Sequence, residues 1–351
     1  MTRRLDTGGV EMPLAGPSSV GEPRNPITRT KNRHIMSRAF VFPGQGSQAV
    51  GMGKALAESF AAARRVFDEV DAALQQKLSD LMFSGPEADL TLTANAQPAL
   101  MAVSLAALRV LEAEAGVDLA RDAKFVAGHS LGEYSALAAA GSLSIADTAV
   151  LLRRRGEAMQ KAVAPGRGAM AALLGLDFDT GVAVAAQAQE EAGAGAVCQI
   201  ANDNGGGQVV ASGSKEAVER AIEIAKTKGA RRSILLPVSA PFHCALMQPA
   251  AEVMQAALAA VEIKPPRVPL VANVVAAPVS DPEEIRKLLV AQVTGTVRWR
   301  ESILAMTAQG VTQFVEVGAG KVLTGLLKRI ADGASGLAVG APADVAAYQA
   351  L

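Results

Sequence analysis

The chain has 351 residues, half of them hydrophobic, enough for one large core with a smaller unit inserted or appended. Its 34 Lys and Arg balance 34 Asp and Glu, and aromatic residues make up only 3%, so it has neither the net field nor the stacking surface of a nucleic-acid binder. Cys198 and Cys244 lie far apart in sequence and no Cys/His spacing matches a metal site, so no disulfide framework, no metal and no permanently bound cofactor are expected.

Residues 1–36 carry Gly, Pro, Arg and Thr without a sustained hydrophobic period and read as a disordered N-terminal extension, the globular chain beginning near Met36. Beyond it, apolar runs stop short of membrane-spanning length and no secretory signal is read, which makes a cytoplasmic protein without a membrane partner the expectation. A first predicted strand, residues 39–42, runs into Pro43-Gly44-Gln45-Gly46-Ser47-Gln48 and a helical pattern from Lys54. Gly44, Gly46 and Ala49 satisfy a loose dinucleotide fingerprint, but the acidic residue it needs about 20 positions on has no second strand to end, since Asp68 lies in a helical run, residues 60–74. A better use of the loop is to bring the amide of Gln45 to a neighbouring turn. Asn95-Ala96-Gln97-Pro98 opens the next helix, with Pro98 near the first turn, where its missing N–H costs nothing.

Residues 124–140 read as strand, sharp turn and helix around Gly128-His129-Ser130-Leu131-Gly132, the nucleophile-elbow pattern. At such a turn the serine backbone is strained and its hydroxyl projects into open space, while the following N–H, that of Leu131, points where an oxyanion can form. A tight strand-to-helix connection with an incidental serine fits the same five residues. The next predicted helix, residues 144–164, carries Arg153-Arg154-Arg155. Three adjacent residues spread around a helix, so at least one arginine should face inward, where it makes a fork for a carboxylate; the alternative is solvation or pairing with Glu157.

After Gly166 the elements follow the order β, α, β, β, α, β, a split ferredoxin-like unit. The expected architecture is therefore α/β: a large α/β-hydrolase-like domain with a parallel sheet, residues 37–164 and 238–351, and a small inserted ferredoxin-like subdomain, residues 165–237. Gly205-Gly206-Gly207 falls between the two middle strands and reads as a hairpin loop. In the returning large domain a strand (268–273), a helix (282–292) and a strand (313–317) precede Gly318-Ala319-Gly320-Lys321. This is no P-loop, because Val322 stands where Ser or Thr is required and Val315 where the leading Gly is required.

A serine nucleophile needs a base. Of three histidines, His34 lies in the extension and His129 would have to fold back from the strained turn. His243, in a loop at a domain boundary, remains. Cys244 is a poor rival nucleophile, since neighbouring side chains of an extended segment point apart.

Phe42-Pro43-Gly44-Gln45-Gly46-Ser47-Gln48, Gly128-His129-Ser130-Leu131-Gly132-Glu133, Arg155-Gly156, Pro241-Phe242-His243 and Glu316-Val317-Gly318 together resemble the malonyl-CoA:acyl-carrier-protein transacylase family of fatty-acid synthesis, in the right order and over the chain from Met36 onward. The resemblance implies Ser130 as nucleophile, His243 as base and acid, backbone amides of Gln45 and Leu131 as oxyanion hole, Arg155 as the grip on the malonate carboxylate and Gln97 as a pocket residue. It implies that the backbone carbonyl of Gln292 orients the histidine in place of a triad acid, and that Phe242 favours malonyl over branched extenders. Malonyl-CoA and phosphopantetheinylated acyl carrier protein are the implied donor and partner, served by a monomer. An acidic carrier calls for a basic rim, with Lys226, Lys228, Arg231 and Arg232, or Arg298 and Arg300, as candidates. The same residues admit a polyketide-synthase acyltransferase acting in trans, or a serine hydrolase or thioesterase on the same elbow.

Overall fold

Short apolar runs ahead of sharp turns become strands in the structure, a computed structural model that describes Gly9 and residues 37–350. The expected extension, with His34 and Met36, falls outside the described residues apart from Gly9. The strands are β1 (Arg38–Phe42), β2 (Phe125–Gly128), β3 (Gly168–Leu174), β4 (Cys198–Asp203), β5 (Gln208–Ser214), β6 (Arg232–Leu235), β7 (Leu270–Ala272), β8 (Ala277–Val279), β9 (Gln313–Val317) and β10 (Ser335–Val339).

Six of them form one sheet in the order β10-β9-β1-β2-β7-β8, parallel throughout except for the β7–β8 hairpin at its edge. β1 shows why it is central: Ala39, Phe40, Val41 and Phe42 are all buried, as a strand covered on both faces must be. Phe40 and Phe42 pack into the core that holds the helix Thr93–Ala115, whereas Ala39 and Val41 belong to the core around Val271, Trp299 and Phe314. Phe42 pairs with Gly128, so β1 and β2 end together. The loop after Phe42 and the turn after Gly128 therefore leave the same carboxyl edge side by side, the position where open α/β sheets build their sites.

The other four strands make an antiparallel sheet, β4-β5-β3-β6, backed by the helices Phe178–Ala192 and Lys215–Thr227. Its core is its own, built from Ala171, Leu173, Val184, Ile200, Val218 and their neighbours. The order is that of a ferredoxin-like unit, so the α/β class with a small second sheet stands as expected.

Three readings need correction. The helix opening at Asn95 begins two residues earlier, at Thr93, which puts Pro98 inside it rather than near its first turn. The same helix is long and apolar enough to cross a membrane, contrary to the expectation that apolar runs stop short; most of it is buried in the core, a distinction that length and composition do not make. The helical run 60–74 is interrupted at its start: Phe60 is extended (φ −134°) and separates Lys54–Ser59 from Ala61–Leu74.

Candidate active site

The elbow closes because two residues lack side chains. A Cβ on Gly128 would stand 1.9 Å from the carbonyl carbon of Gly132, and one on Gly132 would stand 2.2 Å from the carbonyl oxygen of Phe42. Between them Ser130 takes φ 55°, a strained conformation for a residue with a Cβ. What holds it there comes from another strand. Asn273, just beyond β7, accepts from the Ser130 N–H at 2.8 Å and donates to the Gly128 carbonyl at 2.7 Å, clamping the turn from both sides. The sequence reading missed Asn273; its place at the end of a strand on the site-bearing edge was the available signal.

His243 also has positive φ, 57°, and is buried. Its Nδ1 lies 2.8 Å from the backbone carbonyl of Gln292 and its Nε2 lies 2.8 Å from Ser130 Oγ. A carbonyl only accepts, so Nδ1 carries the proton and Nε2 presents its lone pair to the serine hydroxyl. Burial, followed by the nearby Arg155 cation, pushes His243 down to about 3, so the imidazole is neutral at pH 7 and its Nε2 lone pair is unprotonated.

This depression has a consequence for stability. The unfolded chain binds a proton on this histidine below about pH 6.5 while the folded chain does not, so the contribution is full above that pH and is lost as pH falls. With the folded value below 5, the loss between pH 7 and pH 5 is about 2 kcal/mol. Urea denaturation at the two pH values should show a decline shallower by about that amount in His243→Gln; equal declines would contradict the assignment.

His129 is occupied elsewhere: its Nε2 meets Asn204 Oδ1 at 2.9 Å and its ring packs at 5.7 Å from that of Trp299. Cys244 is buried, donates from Sγ to the Pro241 carbonyl at 3.1 Å, and has its thiol pushed up by burial. Neither competes with Ser130 or His243.

Of the three arginines, Arg154 is exposed and Arg153 reaches Asn95 and Gln76, both at 2.6 Å. Arg155 turns inward and is buried. Its guanidinium donates to Gln97 Oε1 at 2.8 Å, Gln292 Oε1 at 2.7 Å and Ser130 Oγ at 3.1 Å. All three acceptors are neutral. No ion pair to Arg155 occurs among the described residues, and its Nε finds no acceptor there. The Tyr134 ring lies 5.7 Å away.

Gln292 does more than lend its carbonyl. Its Nε2 donates to Glu133 Oε2 at 2.8 Å and to the Ser130 carbonyl at 2.9 Å, so one side chain ties the elbow to Arg155. Neither this side-chain role nor Glu133 as its partner was anticipated. A cavity of about 440 Å³ opens over the group, lined by Gln45, Gln97, Ser130, Leu131, Arg155, Phe242 and His243 among others. The N–H groups of Gln45 and Leu131 donate to no acceptor among the described residues, while the Gln45 side chain is tied to Thr93 Oγ1 at 3.2 Å. Arg298 and Arg300 are paired with Glu301 and Asp203, and Lys226 with Glu223.

A strained serine against a neutral imidazole, two idle N–H groups and a buried cation meet at one cavity, an arrangement suited to serine-based acyl transfer. Residues 39–342 match the acyl transferase domain family. The malonyl CoA-acyl carrier protein transacylase of Bacillus subtilis (strain 168) is 49% identical over 292 residues, 83% of this chain and 90% of the relative. A solved acyl-carrier-protein S-malonyltransferase from Bartonella henselae is 59% identical with TM-score 0.86, covering 89% of this chain and 98% of that one. A malonyl-transacylase solved with a type II PKS acyl-carrier protein is 42% identical with TM-score 0.84, over 89% and 99% of the two chains. The chain belongs to the acyl transferase domain family and, within it, to the malonyl CoA-acyl carrier protein transacylases.

Proposed function

We propose that the enzyme moves a malonyl group from malonyl-CoA to the phosphopantetheine thiol of acyl carrier protein for fatty-acid elongation. Ser130 Oγ attacks the thioester carbonyl carbon as His243 Nε2 takes its proton, and the oxyanion sits between the N–H groups of Gln45 and Leu131. The C–S bond breaks, His243 returns the proton to the leaving sulfur, and CoA departs from a malonyl-serine ester. The carrier thiol then gives its proton to His243, attacks the ester carbonyl, and Ser130 leaves reprotonated.

The observation that carries this reading is the buried Arg155, held by neutral oxygens within reach of the serine. A desolvated cation without a resident carboxylate suits an acyl group that brings its own. Gln97 fixes the guanidinium, and Phe242 narrows the cavity against branched acyl groups. The Gln292 carbonyl serves where a hydrolase would more often place an acid. Residues 165–237 act as the inserted subdomain, a monomer is the proposed state and the cytoplasm the proposed setting. For an acidic carrier, Lys228, Arg231 and Arg232 are better placed than the paired arginines, since they form no ion pair among the described residues.

The test is incubation with labelled malonyl-CoA, with and without holo carrier. A protein mass gain of one malonyl unit without carrier and label on the carrier when it is present are expected. Free malonate as the main product in both cases would make the protein a hydrolase. Because one solved relative is bound to a polyketide carrier, carriers of both pathways belong in the assay, and faster loading of the polyketide carrier would move the enzyme to that pathway.

A further inference from the structure

Glu133 stands three residues after the nucleophile, in the first turn of the helix Gly132–Ala139, and is 1% exposed. Its Oε2 accepts from Gln292 Nε2 at 2.8 Å and from the Asn273 backbone N–H at 3.2 Å. A carboxamide has nearly the same shape when its two ends are exchanged, so its neighbours decide which end points where. Here a group that accepts stands on one side of Gln292 and a guanidinium, which only donates, on the other. The amino end must face Glu133 and the oxygen must face Arg155. The carboxylate thereby reaches the arginine through an amide instead of by direct contact, and leaves the guanidinium free for an incoming anion.

We infer that Glu133 is a positioning residue for substrate selection: it fixes the direction of the Gln292 side chain, which holds Arg155 aimed at the acyl carboxylate. The inference rests on the reading of Arg155 as the carboxylate grip. Reach matters here more than charge. Burial pushes the Glu133 carboxyl up to about 7, the bond from Gln292 pulling the other way, yet Oε2 can accept that bond whether or not the other oxygen is protonated.

The pair Glu133→Asp and Glu133→Gln separates the two. The first keeps the ionisable carboxyl and withdraws it by one methylene; the second keeps an acceptor oxygen at full reach and cannot ionise. The readout is transfer to holo carrier from malonyl-CoA and from acetyl-CoA, compared as a ratio of kcat/KM values, with thermal melting as a folding control. In Glu133→Asp the malonyl-over-acetyl ratio should fall about tenfold, mainly through KM for malonyl-CoA, whereas Glu133→Gln should recover most of it. A loss shared equally by both donors in Glu133→Asp, or a fall of the ratio in Glu133→Gln as large as in Glu133→Asp, would overturn the inference. Arg155→Ala in the same assay keeps the two readings apart. A ratio that responds to Arg155 but not to Glu133→Asp removes only the inference; one that ignores Arg155 removes the grip itself.

Discussion

Ser130→Ala should gain no malonyl mass and lose transfer by about 10⁴-fold or more, because Ser130 Oγ is the hydroxyl that meets His243 Nε2, at 2.8 Å. The substitution removes one oxygen and with it the bonds to His243 Nε2 and the Arg155 guanidinium, but leaves the backbone of the turn as it is. The turn keeps its clamp, since Asn273 binds the backbone N–H of residue 130 and the Gly128 carbonyl rather than the hydroxyl. His243 keeps its bond to the Gln292 carbonyl. The variant should therefore fold and melt close to the parent, and intact-mass measurement after exposure to malonyl-CoA is a direct check. A malonyl adduct that persists in the variant would place the nucleophile elsewhere and remove the basis of the mechanism.

Arg155→Ala should lower malonyl transfer by roughly 10²- to 10³-fold while raising acetyl transfer relative to it, the consequence of about 3–4 kcal/mol held in a buried charge pair with the substrate. The expectation follows from what Arg155 lacks. Its partners are two amide oxygens and a hydroxyl, and burial lowers its tendency to stay protonated. An acetyl group leaves that buried cation unpaired, whereas a malonyl group supplies the missing charge. Steady-state kinetics with both donors measures the difference. Equal losses for malonyl and acetyl would mean that Arg155 only supports the pocket.

Much of this was legible in the residues, for identifiable reasons. The elbow is a local device: a short apolar run, two glycines four apart and a serine between them impose the turn whatever surrounds it, and Ser130 at φ 55° is where that pattern leads. The βαββαβ order was likewise readable, since alternating strand and helix patterns are properties of short windows, and His243 followed from the scarcity of histidines. The three-residue strand β8, containing Pro278, and β10, with its exposed start, went unread because each is too short or too polar to show a period. The start of the helix at Thr93 was misplaced because Pro98 is a strong signal for a first turn and was read as one.

The strand-turn-helix that presents Ser130 and the two-sheet architecture were readable from the chain alone, because each depends on neighbours in sequence. Arg155 and the Gln292 carbonyl entered only through the family pattern, as spacing alone could not choose among three arginines. Only the tertiary structure decided that Asn273, Glu133 and the Gln292 side chain meet behind Ser130. They lie in three parts of the chain separated by up to 159 positions, and hydrogen bonds of 2.7–2.9 Å between Gln292, Glu133, Asn273, Arg155 and the elbow form only once strands and helices have packed. Packing also removed water from Arg155 and His243, which leaves the first a cation without solvent around it and presses the second toward its neutral form.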